Sequence, residues 1–238
     1  MEIGNVKDSD NHKNNYKEDN RFMDLFILKI IGIVTMFIDH YHFIIGGPKI
    51  LDVIGRLAFP IFSFSLSEGY TYTRNLKKYM GRLLIFALIF QIPSIIFKLN
   101  YPINIFFTLF FGLLAVSIHH LKNTHILIKI VLISLILYTA QKYEFDYGAY
   151  GILLIILFNI FRERKILIFT GFTALNLIIL LNPGIFQLSS TQIYSQLSLI
   201  PIFLYNGKKG KSLKYFFYLF YPIHFFIIEA IGYIMEKN

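Results

Sequence analysis

Lys29, Asp39 and His40 interrupt an apolar run that spans roughly residues 23–45. An ionisable side chain inside such a run has to be paired or hydrated, because burying it in hydrocarbon costs several kcal/mol. Lys29 and His40 lie eleven positions apart. On an α-helix that spacing puts them roughly 20° apart around the axis and about 16 Å apart along it. One stripe therefore carries a cation toward one end and an imidazole toward the other. Imidazole titrates near neutral pH, which suits it to general-base work on an amine or hydroxyl. Asp39 falls off that stripe, where it can orient or charge-stabilise an imidazole or pair with a cation. The competing reading is that these groups snorkel to interfacial water.

Arg56 sits in the second apolar run, Ile54-Gly55-Arg56-Leu57-Ala58-Phe59-Pro60-Ile61-Phe62. It shares a helical face with Ser63 and Ser67, a small-xxx-small pair that lets another helix approach closely. Its depth matches that of Asp39 and His40, so an Arg56–Asp39 ion pair is expected, either at a site or as a purely structural tie. Asn104 and Thr108 open a later apolar run, and Asp146, followed by Tyr147 and Gly148, opens another. His224 lies midway along the last run and Glu229 in its outer third. Asp39, His40, Arg56, Asn104, Asp146 and Glu229 thus fall at one depth, which predicts a single polar cavity. Metal ligation is not expected: Asp39-His40-Tyr41-His42 and His119-His120 with His125 offer no closed ligand set on a helix. Gly46-Gly47-Pro48 follows no strand, so a nucleotide-binding glycine loop is not indicated.

The elements that must position these groups are apolar helices. The chain of 238 residues is 55% hydrophobic and 16% charged, against roughly 45–50% and about 25% in soluble domains. The apolar runs predict an all-α, polytopic transmembrane bundle of about nine spans. We place them at 23–45, 53–72, 82–98, 105–120, 125–141, 147–161, 166–182, 190–206 and 214–235, with kinks at Pro60, Pro93, Pro201 and Pro222. Residues 1–21 are polar and read as a disordered cytoplasmic tail, not a signal peptide, leaving 22–238 as one transmembrane domain. Cations crowd alternate connections: the tail, Arg74-Lys77-Lys78-Arg82, Lys122, Arg162-Arg164-Lys165 and Lys208-Lys209-Lys211-Lys214. That bias predicts a multi-pass protein of the cytoplasmic membrane, N-terminus inside and C-terminus outside. The net charge of +9 is consumed by these clusters, so no nucleic-acid partner is expected; membrane lipids are the surrounding partner. The sequence sets no oligomeric state. No internal repeat of the kind common in transporters is visible.

Several strings together resemble the TraX family: Leu28-Lys29-Ile30-Ile31 through Ile38-Asp39-His40, the Ile54–Phe62 stretch, Glu68-Gly69-Tyr70, Asn104-Ile105-Phe106-Phe107-Thr108, Asp146-Tyr147-Gly148 and Tyr221-Pro222-Ile223-His224. The resemblance covers roughly residues 25–230. The family is named for an inner-membrane protein that N-acetylates pilin subunits, and more distantly it is similar to the transmembrane acyltransferases. It implies acetyl-CoA as co-substrate and an envelope protein or glycan as acceptor. On that basis His40, Asp39 and Arg56 are expected to be catalytic, with His40 as base, His224 as the second choice, and Arg56 with Asn104 stabilising the oxyanion. Asn104, Thr108, Asp146, His224 and Glu229 are expected to line the substrate site. Lys29, Arg74, Lys77 and Lys78, with Arg82, are expected to meet the phosphates of the co-substrate, or else to serve only as topology signals. A small-molecule or lipid transporter, or a non-catalytic membrane assembly factor, would use the same residues differently.

Overall fold

Two helices buried along most of their length stand at the centre of the molecule. In the computed structural model, which describes residues 22–96, 102–211 and 214–237, ten α-helices follow one another. They are α1 (Leu25–Ile45), α2 (Ile50–Gly55), α3 (Ala58–Tyr72), α4 (Leu76–Ile96), α5 (Ile105–His119), α6 (Ile126–Lys142), α7 (Gly148–Ile160), α8 (Lys165–Leu181), α9 (Leu199–Phe203) and α10 (Lys214–Lys237). The central pair is α3 and α7. Phe59, Ile61 and Phe64 of α3 pack with Tyr150, Leu154 and Phe158 of α7, each at most 5% exposed. A helix buried on nearly every side has to be surrounded by other elements. Accordingly α3 packs against α1, α5 and α7, and α7 against α3, α5, α6 and α8. The all-helical class expected from the apolar runs is what the described residues adopt. The tail at 1–21 lies outside the described residues.

Contacts between distant segments sort the connections into two ends. At one end Leu25 N–H donates to Lys208 O at 2.9 Å and Asn206 N–H to Met23 O at 2.8 Å. Arg162 donates to Tyr72 Oη at 2.8 Å, Lys165 Nζ donates to Phe203 O at 2.9 Å, and the Tyr70 ring stacks on His120. These are the segments that carry the crowded cations. At the other end Asp146 N–H donates to Ile103 O at 2.8 Å, and Asp39, Asp52 and Arg56 meet. Among the described residues, two helical units are long and apolar enough to cross a bilayer: Leu25–Ile45 and Ile50–Tyr72, the latter made of α2 and α3. Ile105–His119, Gly148–Ile160, Lys165–Leu181 and Leu219–Met235 are apolar but shorter.

Three boundaries differ from those expected. The second run is not one helix from 53: it breaks between α2 and α3 at Arg56-Leu57. Pro60 has no N–H to offer the Arg56 carbonyl four residues earlier, so it tolerates the first turn of α3 but not its middle. Helix α4 begins at Leu76, ahead of the expected 82, because Asn75 Oδ1 accepts the Lys78 N–H at 2.9 Å and the long basic side chains remain good helix formers. The eighth run is a 3₁₀ segment over Ser190–Ser198 followed by the five-residue α9. Its polar side chains tie it down. Gln196 Oε1 accepts from Asn176 Nδ2 at 3.0 Å, and Gln196 Nε2 donates to Thr173 Oγ1 at 3.0 Å.

Close approach at Gly55 joins α2 to α1. A Cβ there would lie 2.6 Å from Asp39 Cβ and 2.7 Å from Asp39 Cα, and backbone cannot step aside as a side chain can. Gly55→Ala is expected to lower the melting temperature in detergent, by the roughly 1–3 kcal/mol typical of overpacking. Gly81→Ala is the control. Nothing lies within 4 Å of a Cβ at Gly81, so its melting temperature should stay level or rise.

Candidate functional site

Lys29, Met36, His40 and Phe43 on one stripe of α1, with Asp39 beside it, line a cavity of about 910 Å³. That volume lies in the range of small-molecule sites, roughly 300–1,000 Å³. Lys29, Arg82, Lys209 and Lys211 line it at the cationic end of the molecule; Asp39, His40, Arg56, Asp146 and Tyr147 line it at the other. The six polar residues expected at one depth all reach this one cavity: Asp39, His40, Arg56, Asn104, Asp146 and Glu229.

Arg56 is held by two carboxylates. Its Nε donates to Asp52 Oδ1 at 2.9 Å, and its Nη2 lies 2.8 Å from the same oxygen and 3.2 Å from Asp39 Oδ1. The contact with Asp39 is an ion pair outside hydrogen-bond geometry, since Asp39 Oδ1 accepts no hydrogen bond. The expected Arg56–Asp39 pair is therefore present, with Asp52 as a partner that sequence reasoning missed. Asp39 attends to Arg56. The His40 ring is met by a different residue: Nδ1 of His40 lies 2.6 Å from Nε2 of His224, and the two rings stack at 4.8 Å. His224 is fully buried behind His40, and its Nδ1 lies 2.8 Å from the Phe220 carbonyl.

The loop before α7 is shaped by backbone geometry. Tyr147 has φ +60° and Gly148 φ +45°. A bulky residue in the left-handed region costs of order 1–3 kcal/mol and persists where its surroundings hold it. Here the Tyr147 ring stacks on Phe59 at 3.9 Å, and Thr108 Oγ1 donates to the Asp146 carbonyl at 2.5 Å. Thr108 is fully buried and shapes the loop from behind without reaching the cavity. Gly151 has to be small: a Cβ there would meet Phe59 Cζ and Thr108 Cγ2 at 2.8 Å each.

Asn104 lines the cavity, but both its amide hydrogens are engaged. Its Nδ2 donates to Ala87 O at 2.8 Å and to Gln91 Oε1 at 3.0 Å, and its Oδ1 caps α5 at Phe106 N–H. It ties α4 to α5, and neither amide hydrogen is left for a ligand. Among the cations, Lys29 is in the wall, whereas Arg74, Lys77 and Lys78 are exposed and outside it. Arg82 does reach the wall, and its buried Nε has no hydrogen-bond partner. Lys209 and Lys211 join it from a connection more than a hundred residues away in sequence. Tyr147, Tyr221 and Gln91 complete the wall. Of these, only the Asp146-Tyr147-Gly148 turn carries a local signal, a glycine beside an acidic residue.

The arrangement combines an imidazole, a fixed guanidinium and a remote set of cations around one cavity. A family model described as TraX protein matches residues 24–232. The chain belongs to the TraX family. A further TraX-consistent match is a protein of Dichelobacter nodosus named probable fimbrial assembly protein FimC, serogroup H1. It is 32% identical over 227 residues, covering 84% of this chain and 91% of that protein. No solved structure matches the chain. In this TraX family member the strings that carried the resemblance converge in space: His40, Arg56, Asn104, Asp146 and Tyr221 share one cavity wall.

Proposed function

We propose that this TraX family protein is a multi-pass membrane acyltransferase that moves an acetyl group from cytosolic acetyl-CoA to an amine or hydroxyl of an envelope acceptor. The observation that best supports this reading is the single cavity with cations at one end and His40 beside Arg56 at the other. Lys29, Arg82, Lys209 and Lys211 would meet the phosphates of CoA, which favour cationic partners. Arg74, Lys77 and Lys78 would add positive charge outside the mouth and draw the anion in. The long arm of CoA would run along the cavity and bring the thioester to His40. There His40 would take the proton from the acceptor as its nitrogen or oxygen attacks the thioester carbonyl carbon. Arg56 would face the developing oxyanion, pre-oriented by Asp39 and Asp52. Asp146 and Glu229 would receive the acceptor. The C–S bond then breaks, and the proton passes to the CoA thiolate.

The membrane reading is supported by the two long apolar units and by a row of exposed aliphatic side chains of a kind rare on soluble monomers. Ile126, Leu127, Ile128, Ile130, Val131 and Leu135 all face outward on α6. The crowded cations support a cytoplasmic side that holds the 22–25 and 203–211 segments, which would leave the C-terminus outside. The name of the Dichelobacter relative supports a role in pilus assembly or pilin modification, with a pilin N-terminus as acceptor; a glycan hydroxyl is the alternative.

The test is reconstitution of the purified chain in lipid vesicles with acetyl-CoA labelled in its acetyl group and an envelope extract. Mass spectrometry then searches for a component that gains one acetyl group. Transfer dependent on the chain is the expected result; no transfer and no binding of acetyl-CoA by folded protein would overturn it. The words "fimbrial assembly" in the relative's name also favour a non-catalytic assembly factor. In that case, pilus assembly would survive loss of His40, Asp39 or Arg56 singly.

A further inference from the structure

We infer that His224 is a positioning residue that fixes the tautomer of His40 and leaves Nε2 of His40 as the basic atom. The inference rests on His40 acting as base, as proposed above. A carbonyl oxygen has no hydrogen to give, so the 2.8 Å contact between His224 Nδ1 and Phe220 O requires the proton on Nδ1. A neutral imidazole carries one N–H, and the other nitrogen then holds a lone pair. Nε2 of His224 is that nitrogen, and it lies 2.6 Å from His40 Nδ1. The hydrogen between the two rings therefore belongs to His40 Nδ1. With Nδ1 occupied, the lone pair of His40 stands on Nε2, the nitrogen not turned to His224.

The rest of α10 reinforces this placement. Phe225 packs on the His40 ring at 4.3 Å, and Tyr221 meets it edge-on at 6.3 Å. Phe220 stacks on His224 at 5.1 Å, within 6° of parallel. His224 is fully buried while His40 lines the cavity, so one imidazole is exposed to substrate and the other is enclosed behind it. In the transfer step, His40 Nε2 gains the proton of the acceptor N–H or O–H as the new bond to the acetyl carbon forms. Nδ1–H stays directed at His224, which disperses the positive charge. The Nε2 proton then leaves on the CoA sulfur as the C–S bond breaks. This is the work a carboxylate or carbonyl partner does for an active imidazole elsewhere, performed here by a second histidine 184 positions away in sequence.

The test compares His224→Gln, whose side-chain carbonyl can accept from His40 Nδ1–H, with His224→Leu, which cannot. It is run on the full chain in vesicles. One readout is the rate at which diethyl pyrocarbonate modifies His40, located by peptide mass spectrometry. The second is kcat and KM for acetyl transfer. His224→Leu is expected to slow both the modification and kcat by about 10- to 100-fold, the usual effect of losing a partner that fixes a histidine tautomer. KM for acetyl-CoA should be unchanged, and His224→Gln should recover most of the loss. Equal behaviour of the two variants at matched melting temperature, or a wild-type modification rate in His224→Leu, would overturn the inference. If the modification pattern holds while no protein, wild type included, transfers acetyl, the positioning role stands and the acyltransferase reading fails. If transfer is intact and His40 modification ignores position 224, the reverse is true.

Discussion

Replacing His40 by alanine is expected to reduce acetyl transfer by about 10²- to 10⁴-fold, the usual contribution of a positioned general base. The physical reason is local. His40 is the imidazole in the cavity wall, beside the guanidinium that Asp39 and Asp52 hold in place. His224 cannot stand in for it, because it is enclosed and its Nδ1 is committed to Phe220 O. The fold should survive: the hydrogen-bond partner left without a mate is His224 Nε2, and one unsatisfied buried acceptor costs about 1–3 kcal/mol. Initial rates with labelled acetyl-CoA in vesicles, beside melting curves of the same preparations, check both halves of the expectation. A folded His40→Ala protein that transfers at the wild-type rate would remove His40 from the chemistry. Asp39→Asn makes an informative companion. Since Asp39 serves Arg56 and not His40, it should weaken oxyanion stabilisation while leaving the reaction of His40 with diethyl pyrocarbonate unchanged.

The largest loss of stability is expected at the cationic end, from Arg162→Met. Glu68 of α3 is 1% exposed and lines the cavity that holds His40 and Arg56. It accepts from Arg162 Nε, and from Nη2 at 3.1 Å. Arg162 stands between α7 and α8 and also donates to Tyr72 Oη at 2.8 Å and to Glu163 Oε1 at 2.9 Å. Hydrogen bonding to the Glu68 carboxylate raises Arg162 above its already high ordinary value. The guanidinium therefore remains charged, and the pair stays intact from the cationic side at every working pH. Removing Arg162 alone leaves a carboxylate buried without its counter-ion, a change worth about 3–5 kcal/mol. Removing both charges, Glu68→Leu with Arg162→Met, should return most of that loss, because the uncompensated charge disappears with its partner. A double-mutant cycle on melting free energies measures the coupling. Additive effects of the two single substitutions would show that the pair does not join α3 to the α7–α8 turn energetically.

What could be read directly from the sequence was local. Apolar runs mark helices because burial follows composition over a window of residues, and the ends of α5 through α8 fall within a residue or so of the expected spans. The common face of Lys29 and His40 follows from a rotation of 100° per residue, and both line one cavity. The Arg56–Asp39 pair could be foreseen from depth alone, since opposite charges buried at one level seek each other. Tertiary structure decided everything that depends on which helix faces which. His224 became the partner of His40, and Asp52 joined Asp39 on Arg56. Asn104 spent its amide on α4, and Lys209 and Lys211 joined Lys29 while Arg74, Lys77 and Lys78 stayed outside. Hydropathy and helical period are insensitive to the rotation of one helix against its neighbour. That rotation is set by close contacts such as Gly55 on Asp39 and Gly151 on Phe59 and Thr108, and only the packed molecule contains them.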